Sequence, residues 1–177
     1  LNDVPGKSWA LPLVLASSGI PYVMLGANNS LGGKPDIPLA DRPFWWASQD
    51  GSRVLSWLSY ADEGYMEGWY TWGLGSVSGA ESKLPGIITD WESSGYAYNA
   101  LLVPYAGDDN DPYPTLSQVA ADWNAKYSQP KIVIGQPEDF FDSLLDTYGD
   151  VFPTFSGDAA GHWEDVSTVT PVSTSRI

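Results

Sequence analysis

Apolar positions along this chain fall into two patterns, stripes at three-to-four residue spacing and short continuous runs, which predict helices and buried strands in turn. Residues 8–18 read as a helix: Ser8 caps it, Pro12 falls in the tolerant first turn, and Gly19 ends it. Residues 22–25 follow as a short buried strand, and residues 28–41, rich in Gly, Pro and Asn, as a loop. Residues 44–46 and 53–58 read as two strands around the turn Gln49-Asp50-Gly51-Ser52. Residues 64–78 mix aromatics with glycines and show no clear period. A helix is predicted over residues 85–93, with Leu84, Ile87, Ile88 and Trp91 on one face. Residues 100–103 form an apolar strand that runs into the acidic loop Gly107-Asp108-Asp109-Asn110-Asp111.

The clearest helix covers residues 115–127. Leu116, Val119, Ala120, Trp123 and Tyr127 share one face, and Thr115 with Gln118 fits a capping box. Residues 131–134 read as a buried strand. Pro137 then suits a first helical position; Phe140, Phe141, Leu144, Leu145 and Tyr148 make the inner stripe, and Gly149 closes it. Strands and helices alternate as βα units do, which predicts an α/β fold. In such folds chemistry gathers in loops after the C-terminal ends of strands. The acidic loop after residues 100–103 stands at such a place. No internal repeat and no linker divides the chain, so one domain is expected.

The composition narrows the function classes. The chain has 177 residues, of which 43% are hydrophobic, enough for a real core. A net charge of −14 repels phosphate backbones and argues against a nucleic-acid partner; the same acidity also serves solubility. No apolar run is long enough to cross a membrane. The first residues, Leu1 to Gly6, do not resemble a signal peptide, and the lack of an initiator Met suggests a natural start elsewhere. The absence of Cys removes disulfides, thiolate metal sites and a Cys nucleophile; it leaves the compartment open, with an extracellular or periplasmic one favoured. One histidine, His162, is too few for a multi-histidine metal cage within the chain.

Aromatic content is the unusual feature, with nine Trp and ten Tyr. Ring faces stack on the C–H faces of sugars, but large rings also fill cores. Trp45, Trp46, Trp69, Tyr70 and Trp72 fall in loop-like stretches, where sugar contact is expected; Trp91 and Trp123 lie on apolar helix faces and are expected in the core. Among acids, Asp3 and the adjacent pair Asp108 and Asp109 stand out. Retaining glycoside cleavage needs two carboxylates about 5 Å apart. Two adjacent carboxylates repel, and one held protonated would suit a general acid. A solvated turn or a loose cation site explains the same pair. Asp158 fits a sugar-hydroxyl contact or a turn after Gly157.

Several segments, in order, resemble glycoside hydrolase family 38, the α-mannosidases. Asn2-Asp3-Val4-Pro5-Gly6-Lys7-Ser8 is similar to that family's aspartate segment, followed in both by an apolar helix and a turn, here Gly19-Ile20-Pro21-Tyr22. Leu101-Leu102-Val103-Pro104-Tyr105-Ala106-Gly107-Asp108-Asp109 resembles a second segment. Ser156-Gly157-Asp158, then Gly161-His162-Trp163 and residues 173–176, resembles a third. Phe44-Trp45-Trp46 with Asp50-Gly51-Ser52 resembles a bacterial branch.

The resemblance implies an incomplete β/α barrel: residues 1–177 as one partial α/β catalytic domain whose parent extends beyond both ends. It also implies a zinc enzyme cleaving α-mannosides with retention. By that likeness Asp3 is nucleophile and metal ligand, Asp109 is the acid/base, and Asp108 is an alternate acid or a support. The chain departs from the pattern at Val4, at Lys7 in place of His, and at Asn110 in place of an aromatic. The family's His-x-Asp zinc ligands are expected upstream and its last zinc-binding His downstream, so the isolated chain is expected to be inactive. A non-catalytic carbohydrate-binding module and a metal-dependent deacetylase-like barrel are the alternatives.

Overall fold

The computed structural model describes residues 1–2, 7–26, 37–39, 42–59, 64–107 and 110–159. They divide into two compact units, Leu1–Tyr65 with Asp150–Ile177, and Met66–Gly149.

The first unit is built on a mixed four-stranded sheet of β1 (Tyr22–Gly26), β2 (Phe44–Ala47), β3 (Arg53–Ser59) and β4 (Thr154–Ser156), in the order β1-β3-β2-β4. β1 runs parallel to β3, β2 pairs antiparallel with β3, and β4 lies parallel to β2. The β2–β3 hairpin follows from its turn chemistry. Gly51 takes φ +88°, and the Asp50 carboxylate accepts the Ser52 backbone N–H (3.0 Å) and hydroxyl (2.8 Å). Those bonds, the backbone one first, hold the Asp50 carboxyl below its usual range. β3 lies inside the sheet and is buried along almost its whole length, as an interior strand covered on both faces must be. β2 alternates instead: Phe44 and Trp46 are buried, Trp45 and Ala47 half-buried.

Helix α1 (Leu11–Ser17) packs on β3 and β2. It is shorter than the predicted residues 8–18. The Ser8 side chain makes no N-terminal cap bond to the helix; its carbonyl accepts the Leu11 N–H at 2.9 Å. Gly19 ends the turn at φ +74°, as expected. Leu11, Leu15 and Ala16 meet a core of Val23, Leu25, Ile37, Phe44, Trp46, Val54, Leu58 and Ala159.

The second unit is helical: α2 (Glu67–Tyr70), α3 (Val77–Ser93), α4 (Leu116–Lys126) and α5 (Pro137–Tyr148). Trp72, Leu74, Ala80, Leu84 and Trp123 are its buried cluster. α3 begins eight residues before the predicted start. Ser76 caps it by accepting the Gly79 N–H at 3.0 Å, and Ala80 and Leu84, one turn apart, anchor it. Pro85 therefore sits inside the helix rather than at its head.

Two predicted strands are not strands. The backbone around residues 100–103 is taken up elsewhere: the Ala100 carbonyl by the Tyr96 hydroxyl, the Asn99 N–H by the Tyr148 hydroxyl, and the Pro104 carbonyl by the Gly68 N–H. Leu101 and Val103 pack sideways onto the helical cluster. At residues 131–134 the Asn124 amide replaces a ladder, accepting the Ile132 N–H (2.9 Å) and donating to the Ile132 carbonyl (2.7 Å). Val133 and Ile134 are left 82% and 54% exposed. The predicted Thr115–Gln118 capping box is also absent, since Gln118 donates to Asp122 instead. α5 has the predicted start and end, plus a capping box between Gln136 and Asp139.

The fold is thus mixed α/β. Its sheet is mixed rather than parallel, four helices (α2 to α5) follow one another without an intervening strand, and no closed barrel forms among the described residues.

Candidate functional site

Asp3, Asp108, Asp109 and His162 lie outside the described residues. Their immediate neighbours are informative. Asn2 makes a parallel bridge with Gly26, the last residue of β1. Asn2, the residue before Asp3 in sequence, thus sits beside the C-terminal end of β1, the edge where α/β folds place their chemistry. Gly26 is required there. A Cβ on it would collide with the Tyr65 side chain and lie 2.7 Å from Asn2 Oδ1. Asn2 Oδ1 is itself buried without a hydrogen-bond partner among the described residues.

Asp108 and Asp109 are flanked on both sides by the walls of one cleft. This cavity of about 250 Å³ is lined by Trp69, residues 105–107 and residues 110–113. Three rings form its aromatic side. Trp69 meets Tyr113 edge-on at 4.0 Å between centroids and Tyr105 at 5.9 Å; Tyr105 meets Tyr113 at 5.3 Å. The assembly depends on glycine at 68. There α2 comes so near the chain that a Cβ would stand 2.7 Å from the Pro104 carbonyl oxygen and 3.0 Å from the Tyr105 ring. The Gly68 N–H donates to that same carbonyl at 3.0 Å. At Gly107 a Cβ would meet the amide end of the Asn110 side chain, which can swing aside, so the requirement for glycine is weaker there.

The Tyr105 hydroxyl is buried without a hydrogen-bond partner among the described residues. Burial first, and the neighbouring Tyr113 second, push the Tyr105 phenol above its ordinary range. It stays protonated at neutral pH and serves as a ring wall. Asn110 and Asp111 are exposed at the cleft and supply its polar groups.

The other aromatic expectations divide sharply. Trp69 lines the cleft and is 39% exposed. Trp46 is 0% exposed, in the sheet core, with its indole N–H donated to the Gly157 carbonyl at 3.0 Å. Trp72 is 3% exposed and belongs to the helical core. Neither presents a ring face to a sugar, which corrects the expectation for both. Trp45 is half-buried, and the Arg53 guanidinium covers its ring at 4.1 Å, so that face is already taken. The Tyr70 side chain lies outside the described residues. Trp91 and Trp123 pack in the helical cluster, as expected. Asp158 is exposed, and its carboxylate accepts the Trp9 backbone N–H at 2.7 Å, fixing the chain as it enters α1. That bond gives Asp158 a structural role at one of its oxygens.

The sequence assigns no site role to Tyr105, Tyr113 or Gly68: Tyr105 falls between the predicted strand at residues 100–103 and the acidic loop, and Gly68 lies in a stretch without a clear period. Two aromatics bracketing an acidic pair within nine residues were the available signal. Lys7 and Glu67 are the buried charged side chains among the described residues. No group of three His, Asp or Glu side chains that would suit a metal assembles among the described residues.

Comparison with known proteins adds the family. The fold is similar to that in the crystal structure of an alpha-mannosidase from Enterococcus faecalis V583, with a TM-score of 0.64 at 15% identity. The likeness covers 89% of this chain, which spans 17% of that protein's length. No curated protein matches the sequence. The model of the glycosyl hydrolases family 38 N-terminal domain matches residues 1–158, a span holding Asp3, the acidic pair and both described units. This chain therefore belongs to glycosyl hydrolases family 38 and carries its N-terminal domain.

Proposed function

We propose that this chain is part of the catalytic domain of a retaining, zinc-dependent α-mannosidase, and that its sheet and helices are a portion of a β/α barrel completed in a longer polypeptide. The observation carrying this reading is the family match over residues 1–158, because that one span contains Asp3 and Asp109 together. The place of Asn2, next to Asp3 in sequence, beside the C-terminal end of β1 supports it.

In this reading the Asp3 carboxylate attacks the anomeric carbon while Asp109 protonates the departing glycosidic oxygen. A glycosyl ester on Asp3 forms as the carbon–oxygen bond breaks. Asp109, now ionised, then takes a proton from water as that water attacks the same carbon, freeing the sugar with retained configuration and restoring both groups. Asp108 keeps negative charge beside Asp109, which favours its protonated form. Zinc would hold sugar hydroxyls, and Asp3 is the residue of this chain offered to it.

The test is hydrolysis of an aryl α-mannoside by the full-length protein containing this chain. Asp3→Ala should lower turnover on the order of 10³-fold or more, and Asp109→Ala by about 10²–10⁴-fold. A chelator should abolish activity and added zinc restore it. Full turnover in Asp3→Ala would overturn the assignment.

A further inference from the structure

We propose that Asp50, in the β2–β3 turn, is a modification site at which the chain converts spontaneously to isoaspartate, and that Ser52 is the brake on that conversion. The inference goes beyond the glycosidase reading and does not depend on it. Three observations carry it.

The first is the bond itself. Asp50-Gly51 is the one place in the sequence where an Asp or Asn precedes a glycine. Glycine has no side chain to shield the amide nitrogen that follows the aspartate. The surroundings give no shield either: Asp50 and Gly51 are exposed, and a Cβ on Gly51 would meet nothing within 4 Å. The Gly51 nitrogen can therefore attack the carboxyl carbon of the Asp50 side chain. A carbon–nitrogen bond forms, the amide proton leaves with the carboxyl hydroxyl as water, and a succinimide ring closes. Water then opens the ring at either carbonyl. Opening at the side-chain carbon restores aspartate. Opening at the main-chain carbon leaves Gly51 joined through the side chain, which is isoaspartate. One water leaves and one returns, so no co-reactant is consumed.

The second is restraint. The Gly51 N–H donates to the Ser48 carbonyl at 3.2 Å, so the attacking nitrogen is already engaged. The Asp50 carboxylate accepts the Ser52 backbone N–H at 3.0 Å and the Ser52 hydroxyl at 2.8 Å. Both bonds, the backbone one first, favour the ionised carboxylate, which is a poorer electrophile than the neutral acid. They also tie the carboxylate to Ser52 and so oppose its turning onto the Gly51 nitrogen. The hydroxyl bond is the part of this clamp that a side-chain change can remove.

The third is consequence. The Ser48 N–H donates to the Ser52 carbonyl at 2.8 Å, closing a loop of Gln49, Asp50 and Gly51. Isoaspartate adds a methylene carbon to the main chain of that loop. Loop length fixes hairpin register, and here the register pairs Ala47 with Arg53 and Trp46 with Val54. Trp46 and Val54 are both fully buried. A lengthened turn works against that pairing, so the modification loosens the end of the hairpin in aged molecules.

The experiment incubates the full-length protein at neutral pH and physiological temperature. Peptide mapping with electron-transfer fragmentation, which tells isoaspartate from aspartate, follows the product. We expect it to accumulate at Asp50 ahead of every other described Asp. Ser52→Ala, with its fold checked by circular dichroism, should react about threefold faster or more, the share of one charge-assisted hydrogen bond at an exposed site. Ser52→Thr, which keeps a hydroxyl, should stay within about twofold of wild type. Wild type unfolded in urea loses the whole set of bonds and should react about tenfold faster than the folded protein. Absence of isoaspartate from Asp50 in both folded and unfolded protein overturns the modification site. A folded Ser52→Ala that reacts at the wild-type rate overturns the brake. If Ser52→Ala does not fold, wild type decides: equal folded and unfolded rates overturn the proposal, and a slower folded rate upholds it.

Discussion

Gly68→Ala probes the contact on which the aromatic cleft is built. The new methyl would stand 2.7 Å from the Pro104 carbonyl oxygen, 3.0 Å from the Tyr105 ring and 3.2 Å from a Val103 methyl. A carbon rests against a carbonyl oxygen at about 3.3 Å or more, so α2 and the chain at Pro104 must part by about half an ångström. Both sides of the contact are backbone, so no rotamer relieves it. The separation stretches the 3.0 Å hydrogen bond from the Gly68 N–H, whose loss costs about 1 kcal/mol. Overpacking adds about 1–3 kcal/mol. The helical preference of Ala over Gly returns at most about 1 kcal/mol, and less in a helix as short as α2. The net is a destabilisation of about 1–3 kcal/mol. Gly86→Ala is the matched control: Gly86 lies in α3, and a Cβ there meets nothing within 4 Å. It should stabilise by about 0.5–1 kcal/mol. Urea denaturation followed by tryptophan fluorescence measures both. If Gly68→Ala proves as stable as wild type, or tracks Gly86→Ala, the close approach of α2 to Pro104 is refuted.

Trp46→Ala should cost about 3–5 kcal/mol in a thermal or urea melt, because it empties a fully buried indole site and orphans the Gly157 carbonyl. Trp45→Ala, losing a half-buried ring under Arg53, should cost far less; equal losses would contradict the assigned faces of β2. The Arg53 guanidinium at 2.6 Å holds the Asp150 carboxyl below the usual carboxylate range. A depressed folded value means that the pair's stabilisation is present above the unfolded pKa near 3.9 and is lost as pH falls through the folded value. Arg53→Gln should raise the Asp150 midpoint in a carboxyl NMR titration, and an unmoved midpoint would refute the pairing. The effect on overall stability should be small, since the pair is exposed.

These expectations also mark where local signals were enough. α5 was readable because each determinant lies within the segment: Pro137 at the head, a five-residue apolar stripe, and Gly149 at φ +66° beyond the end. The β2–β3 hairpin was readable for the same reason. α3 was not, because Pro85 is a strong local stop, and what overrides it is tertiary: burial of Ala80 and Leu84 behind the Ser76 cap. Residues 131–134 have the composition of a buried strand, but a strand needs a neighbour, and the Asn124 amide supplied the backbone partners first. A pattern of apolar residues states what a segment prefers when a partner exists, and says nothing of whether one does.

The aromatic residues show how the same limit acts on the candidate site. Composition pointed to rings near an acidic loop, and one cleft has that character. Which rings form it depends on neighbours. Strand periodicity alone separates Trp45 from Trp46, since consecutive residues of β2 face opposite sides and Phe44 shares the core face with Trp46. No such rule separates Trp69 from Trp72. Trp69 lies on α2, whereas Trp72 follows the end of that helix and packs into the helical core. The missing side chain at Gly68 lets the Pro104–Tyr105 backbone close on α2, where Tyr105 meets Trp69. The most informative residue for the cleft is thus one that touches no ligand and has no chemistry of its own. A substitution there should alter the cleft before any change in the rings that line it.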